Sequence, residues 1–195
     1  EGERKNEGGS AGLGGGYEAR KAVSEGGGKG SDEKLNSSTV FGYFKYTNSK
    51  VVAKLYGISG GNLNHLVMLG GYASYAETNG IDSYKPTKTT AFWADIASNA
   101  PKIAPGVFFG YTKNNGLSDD GYKNLYVRGV SGSRIVDNVW RASARVDFKE
   151  NKFKLSPEIE YTSATWGDLK TDATTGNNKE TVGNFRALIS ATYSF

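Results

Sequence analysis

The chain has 195 residues, a formal net charge of +4, a mean hydropathy of −0.52 and no cysteine. Without cysteine, no disulfide framework and no Cys-based metal site can form. Lysine and arginine are scattered without a dense basic run, which argues against nucleic-acid binding. No apolar run approaches the roughly 20 residues of a transmembrane helix. Moderate hydropathy is nevertheless typical of a transmembrane β-barrel, because lipid-facing and lumen-facing residues alternate along each strand.

The first 38 residues form a Gly-rich segment that differs in composition from the region 39–195. Ala11–Val23 alternates between two sets of residues and predicts one strand, which its glycines weaken. Ser24–Ser38 is rich in Gly, Ser and charge and predicts a mobile loop. The sequence begins with Glu1 rather than Met, so we expect a removed export signal or a longer polypeptide around it.

Seven more strands are predicted from period-2 alternation of apolar and polar residues. Short polar turns recur about every fifty residues, and the connections between them are long and polar. Short turns at one rim and long loops at the other are typical of an outer-membrane barrel, so we expect the turns to be periplasmic and the loops extracellular. The strands are Thr39–Thr47, Lys50–Ser59, Thr89–Ala97, Lys102–Lys113, Val136–Phe148, Phe153–Trp166 and Phe185–Phe195; the turns are Asn48–Ser49, Ser98–Pro101 and Lys149–Lys152; the loops are Gly60–Lys88, Asn114–Ser133 and Gly167–Val182.

Within the first long loop, Asn62–Gly71 is too apolar for a solvated tip. One interpretation is an extra strand or a strand that rises above the membrane. A second is a loop that folds into the lumen and narrows it, and a third is a contact with a neighbouring subunit. The residues concerned are Asn62, Leu63, His65, Leu66 and Met68.

Charged residues concentrate in the polar sets of the predicted strands. In sequential antiparallel strands they would form neighbouring rows on one wall. Such rows either set a transverse field that sorts solutes by charge in a wet pore or fill the inside of a narrow barrel as paired charges. The predicted lining residues are Asp95, Arg141, Arg145, Lys154, Glu158, Glu160 and Arg186.

The last eleven residues alternate most clearly of all. Phe185, Ile189, Tyr193 and Phe195 fall in the apolar set, and the strand ends on an aromatic residue. A lipid face must be apolar and a membrane interface favours aromatic side chains. We therefore expect these four residues to face lipid.

Five motifs follow one another along the chain. They are Met68-Leu69-Gly70-Gly71-Tyr72, Ala91-Phe92-Trp93-Ala94-Asp95-Ile96, Phe109-Gly110-Tyr111-Thr112-Lys113-Asn114, Glu158-Ile159-Glu160-Tyr161-Thr162-Ser163-Ala164 and Thr192-Tyr193-Ser194-Phe195. Over about residues 40–195 the chain resembles a porin-like outer-membrane family of Bacteroidetes bacteria. The resemblance implies an exported barrel that forms a passive diffusion channel. Members of this family are roughly twice as long, and these motifs lie in their C-terminal half.

The sequence therefore predicts an all-β protein, an antiparallel transmembrane β-barrel with about eight strands here and about 16 in the whole barrel. The expected function is that of a bacterial outer-membrane porin for small polar solutes. The alternative is a filled eight-stranded barrel with a structural or adhesive role through its loops. Expected partners are outer-membrane lipid, the solutes, the missing N-terminal strands and other copies of the chain in a trimer. Gly57-Ile58-Ser59-Gly60-Gly61 matches the G-x-S-x-G pattern of a nucleophile elbow, but no helical periodicity follows it, so we expect no enzyme. With one histidine, no cysteine and no calcium-binding loop motif, we expect no metal. We expect no cofactor either.

Overall fold

A computed structural model describes residues 8–23, 30–66, 68–77 and 82–195, and these residues are all-β apart from one short 3-10 helix (Leu63–Leu66). The described residues contain no helix that is long and apolar enough to span a membrane. The strands are β1 (Gly8–Val23), β2 (Gly30–Thr47), β3 (Val51–Gly61), β4 (Gly70–Tyr75), β5 (Ser83–Ser98), β6 (Ile103–Gly116), β7 (Asn124–Arg128), β8 (Val130–Ser131), β9 (Arg134–Glu150), β10 (Phe153–Asp168) and β11 (Glu180–Tyr193).

Eight long strands form one antiparallel sheet in the order β1-β2-β3-β5-β6-β9-β10-β11. Every neighbouring pair in this order is joined by an antiparallel register, which shifts only near strand ends, between Lys21 and Val23, Lys88 and Thr89, and Thr165 and Trp166. No pairing joins β1 to β11 among the described residues, so the sheet is open. The outer edges of these two strands therefore present backbone groups that no strand of the described sheet satisfies.

One face of the sheet, here called the apolar face, carries an unbroken apolar row across all eight strands. Because the side-chain period of a strand is two, a single register keeps such a row together. Its members are exposed or half-buried, and no other layer of the described residues covers them. The row runs through Ala11, Phe44, Leu55, Ala94, Phe109, Ala142, Tyr161 and Phe185.

Short turns lie at one end of the long strands. Between β2 and β3, the side-chain oxygen of Asn48 accepts hydrogen bonds from the backbone N–H groups of Lys50 (2.8 Å) and Val51 (2.7 Å). The Asn99 amide of the next turn donates to the Asn48 carbonyl at 2.7 Å. Asn151, between β9 and β10, has a φ of 51°, a left-handed conformation that asparagine tolerates better than most residues. The three turns predicted from the sequence are all present.

The opposite end of the sheet carries a folded cap. Here β5 continues beyond the main sheet and pairs with β4, which pairs in turn with β7. This three-stranded sheet packs on a small hydrophobic core. The core consists of Ala73, Tyr75, Leu117, Ile135 and Ala173, with Tyr122, Leu125, Val127 and Leu169 packed against it. We call this assembly the cap.

The cap corrects the loop predictions. The stretch Gly60–Lys88 holds the 3-10 helix, β4 and the start of β5, and Asn114–Ser133 holds β7 and β8. The predicted loop Ser24–Ser38 is also wrong from residue 30 onward, because β2 begins at Gly30 and pairs with β1. Residues 24–29 lie outside the described residues. At the other end, β11 extends from Glu180 to Tyr193 rather than from Phe185 to Phe195.

Candidate functional site

The second face of the long sheet, here called the polar face, brings together most of the charged residues predicted as one group. The register places Ser143 of β9 opposite Glu160 of β10, and Glu160 opposite Arg186 of β11. One row toward the cap, Arg141 lies opposite Thr162. The alternation of these strands therefore produces a ladder of charge across adjacent strands.

Glu160 occupies the centre of this ladder. Its carboxylate lies 3.3 Å from Arg141 Nη1 and 2.9 Å from Arg186 Nη2. The Glu160 side chain is only 9% exposed, whereas both guanidinium groups are about half exposed. Arg141 Nε also donates to Thr162 Oγ1 at 3.0 Å. One buried carboxylate thus holds two accessible cations, and the three groups together carry an excess positive charge.

Arg145 forms its ion pair with Asp95 and not with Glu158, the carboxylate that lies opposite it in the register. Glu158 is its register partner on β10. Its guanidinium instead donates to Asp95 on β5 through two hydrogen bonds of 2.7 and 3.1 Å. To reach β5 it crosses β6 over Gly106, where an added Cβ would lie 3.1 Å from Arg145 Cζ. A fork with two hydrogen bonds fixes Arg145 more firmly than a single contact would.

A further carboxylate of the polar face escaped the sequence prediction. Asp147 accepts a hydrogen bond from Ser156 Oγ at 2.7 Å and lies 3.9 Å from Lys154 Nζ. Its place in the polar set of residues 136–148 was the available signal. Between the row of Arg141 and the short turns, cations outnumber carboxylates on this face: Lys45, Lys54, Arg141, Arg145, Lys149, Lys154 and Arg186 against Asp95, Asp147, Glu158 and Glu160.

The polar face also carries an aromatic run that the sequence prediction did not single out. Neighbouring rings lie 6.2 Å apart (Phe41 to Tyr56), 5.9 Å apart (Tyr56 to Trp93) and 6.1 Å apart (Trp93 to Phe108). Their planes differ by only 25°, 20° and 32°. Each ring belongs to a different strand, β2, β3, β5 and β6, and each is half-buried. The sequence could have indicated this run, because the four aromatic residues fall in the polar sets of their strands and not in the apolar sets.

The predicted apolar loop lies beside the cap end of β1–β3. Asn62 and Leu63 are buried, and the 3-10 helix follows at once. His65 Nδ1 donates to the Asn62 carbonyl at 2.9 Å and lies 3.9 Å from Glu18 of β1. His65 and Leu66 line a small cavity together with polar-face residues of β1, β2 and β3, namely Glu18, Phe41, Tyr56 and Ile58. Met68 is half-buried just before β4.

The four C-terminal residues predicted to face lipid lie on or beside the apolar face. Phe185, Ile189 and Tyr193 are register partners of Tyr161, Pro157 and Phe153. Their exposed fractions are 65%, 76% and 57%. Phe195 follows the end of β11, and its ring contacts that of Tyr193 edge-on at 5.5 Å. The segment is thus an exposed apolar strand at one edge of the sheet.

A polar cluster joins the last long connection to the sheet at the cap end. Asp137 of β9 is 5% exposed and accepts hydrogen bonds from Lys113 and Thr175, from Asn138 at 2.8 Å and from Lys179 at 3.3 Å. Burial raises the pKa of this carboxyl group, but the hydrogen bonds from Lys113, Thr175 and Asn138 outweigh burial and hold the pKa well below its usual range. Asp137 is therefore ionised and fixes the segment 169–179.

Neither a protein-family model nor a curated protein nor a solved structure matches this chain.

Proposed function

We propose that this chain forms part of the wall of a bacterial outer-membrane pore through which small polar solutes diffuse passively. The observation that carries the proposal is the separation of the two faces of the sheet. Across eight strands, no other described part of the chain covers the apolar face, and lipid is the surrounding that would cover it. The polar face carries ion pairs, several of them with accessible cations, which would line a water-filled lumen.

The open edges support a barrel with more strands than the eight described. A sheet edge with unpaired backbone groups is not tolerated in hydrocarbon, so β1 and β11 need strand partners in the membrane. Eight strands alone leave an interior filled by side chains, whereas about 16 leave an aqueous channel. The filled eight-stranded alternative requires β1 to pair with β11, and the described sheet has no such pairing. The resemblance to the Bacteroidetes porin-like family points to the same function.

The excess of cations on the polar face between the row of Arg141 and the short turns favours passage of anions over cations. Removing an arginine that borders the lumen should shift the reversal potential toward cations. Arg141→Ala and Arg186→Ala are the informative variants, because both side chains are about half exposed. Lys102→Ala, which removes the same charge from a short turn, is the matched control.

The experiment is single-channel recording of the full polypeptide in planar lipid bilayers under a salt gradient. We expect stepwise conductance, weak anion preference, and a cation-directed shift in the two arginine variants that exceeds the shift in the Lys102 variant. A well-folded protein that gives no conductance would refute the pore and leave the filled barrel. Equal ion selectivity in all variants would show that the polar face does not line the conduction path.

A further inference from the structure

The aromatic run of Phe41, Tyr56, Trp93 and Phe108 has no place in the selectivity of a pore for simple ions. Small hydrated ions gain nothing from four aromatic rings. Contact with lipid does not explain these rings either, because lipid would cover the apolar face and the rings belong to the polar face. The run therefore calls for a solute that has an apolar surface of its own.

Glycine positions show how two of these rings lie. A Cβ added to Gly14 of β1 would collide with the Phe41 ring. A Cβ added to Gly110 would lie 3.1 Å from two atoms of the Phe108 ring. Both rings therefore lie over the backbone of a glycine instead of standing away from the sheet. Since the neighbouring planes differ by only 20° to 32°, the four rings form one run of similar tilt, here called the strip.

Hydrogen-bonding groups border this strip. Lys54 and Asp95 lie beside the strip on the side away from the cap. They are two residues from Tyr56 and Trp93 along their strands. Ser143 is the register partner of Phe108, and Arg141 is the register partner of Gly110. Of these groups, Lys54 and Arg141 are accessible donors for a solute that lies on the rings. Asp95, by contrast, is already paired with Arg145, and Ser143 is buried. The combination suits a molecule with apolar faces and a hydroxylated edge.

We propose that the strip is a binding track for neutral oligosaccharides that pass through the pore. A pyranose ring presents C–H groups on its faces, which pack on aromatic rings, and hydroxyl groups at its edge, which bond to charged side chains. The repeated spacing of about 6 Å between rings offers successive sugars equivalent sites. This inference rests on the proposed function, since it names the solute class that the same lumen takes.

The test uses two neighbouring aromatic residues on opposite faces of β5. Trp93 belongs to the strip, and Phe92 belongs to the apolar face with its ring 6.1 Å from that of Phe109. Maltohexaose is titrated calorimetrically into the full polypeptide in a zwitterionic detergent that carries no sugar. We expect saturable binding that Trp93→Ala weakens at least about tenfold, that Trp93→Phe largely retains, and that Phe92→Ala leaves unchanged.

The same variants are then recorded in planar bilayers with maltohexaose or with a polyethylene glycol of equal hydrodynamic size. We expect maltohexaose alone to reduce the ion current in a saturable manner that depends on Trp93. Equal reduction by both polymers, or binding that Trp93→Ala does not change, would overturn the track while leaving the pore. Absence of ion conductance together with Trp93-dependent binding would overturn the pore and retain the sugar site.

Discussion

At the scale of single residues, the sharing of Glu160 by two arginines makes a testable energetic prediction. Removing Arg141 or Arg186 alone leaves Glu160 with one partner, and each change should cost about 1 kcal/mol or less because both guanidinium groups are half exposed. Removing both leaves a buried carboxylate unpaired, and the double variant should lose about 3 kcal/mol or more. The measurement is the midpoint of heat- or urea-induced unfolding in detergent.

Glu160→Gln provides the control for this pair. In that background no buried charge remains, so the two arginine replacements should become additive and mild. If, with Glu160 present, the double variant loses no more stability than the two single variants lose in sum, the three groups are not coupled.

Asp137 predicts a pH-dependent attachment of the connection before β11. Its pKa is lowered in the folded protein, so its stabilisation is complete above the ordinary aspartate pKa of about 3.9 and is lost as the pH falls toward the lower, folded pKa. Asp137→Asn should therefore speed hydrogen exchange of residues 169–179 at pH 7 by about ten- to a hundredfold, the equivalent of a buried hydrogen-bonded charge. At the acid limit the variant and the parent should converge.

Asp120→Asn is the comparison variant, since Asp120 is exposed and accepts one hydrogen bond from Thr171 in the same segment. This variant should change the hydrogen-exchange rate of residues 169–179 by less than about threefold. Equal effects of the two variants would show that burial of Asp137 contributes nothing to the attachment.

At the scale of strands, the register of β5 and β9 predicts opposite surroundings for two tryptophans. Trp93 belongs to the polar face and Trp140 to the apolar face, where its ring lies 5.4 Å from that of Tyr161. In single-tryptophan variants in vesicles, brominated lipid should quench Trp140 and spare Trp93, and aqueous acrylamide should do the reverse. The opposite result would mean that the register is displaced by one residue, because such a slip inverts every side chain.

The strands that the sequence predicted best are those whose two faces meet different surroundings. The ranges predicted around Val136–Phe148 and Phe153–Trp166 match β9 and β10 closely, because each alternates over most of its length, with Asn138 as an exception. Residues 30–38 were misassigned because their Gly-, Ser- and charge-rich composition is that of a loop. They are nevertheless strand, since backbone pairing with β1 depends little on side-chain type.

The parts of the site that sequence could not predict depend on contacts between distant strands. The polar set identified Arg145 as a member of the ladder, but its partner Asp95 lies two strands away in the sheet and is reached over Gly106. The cap strands β4 and β7 have six and five residues, too few for a period to be recognised. Their pairing exists only because β5 continues beyond the main sheet.

At the scale of the whole molecule, the open sheet predicts that β1 and β11 do not meet in the membrane. A cysteine at Leu13 is combined in turn with a cysteine at each apolar-face position of β11, and oxidation is followed by gel shift. We expect no cross-link within one chain, because additional strands separate the two edges. Leu13→Cys with Gly42→Cys is the positive control, since these residues are register partners on β1 and β2.

A strong cross-link between Leu13 and any one position of β11 would mean that eight strands close on themselves. The interior would then be filled by side chains, and both the pore and the sugar track would be wrong. The scan along β11 is necessary because the stagger of a closed barrel displaces the partner of Leu13 along that strand.

The small core of the cap has a consequence for how the chain enters a membrane. Its side chains come from four separate segments, represented by Ala73, Leu117, Ile135 and Ala173, and they bury one another. In the proposed outer-membrane barrel, with the short turns periplasmic and the cap extracellular, these segments would cross the bilayer before the core could form on the far side. The folded cap would then oppose withdrawal of the strands, so that cap folding would act as a latch on the inserted barrel.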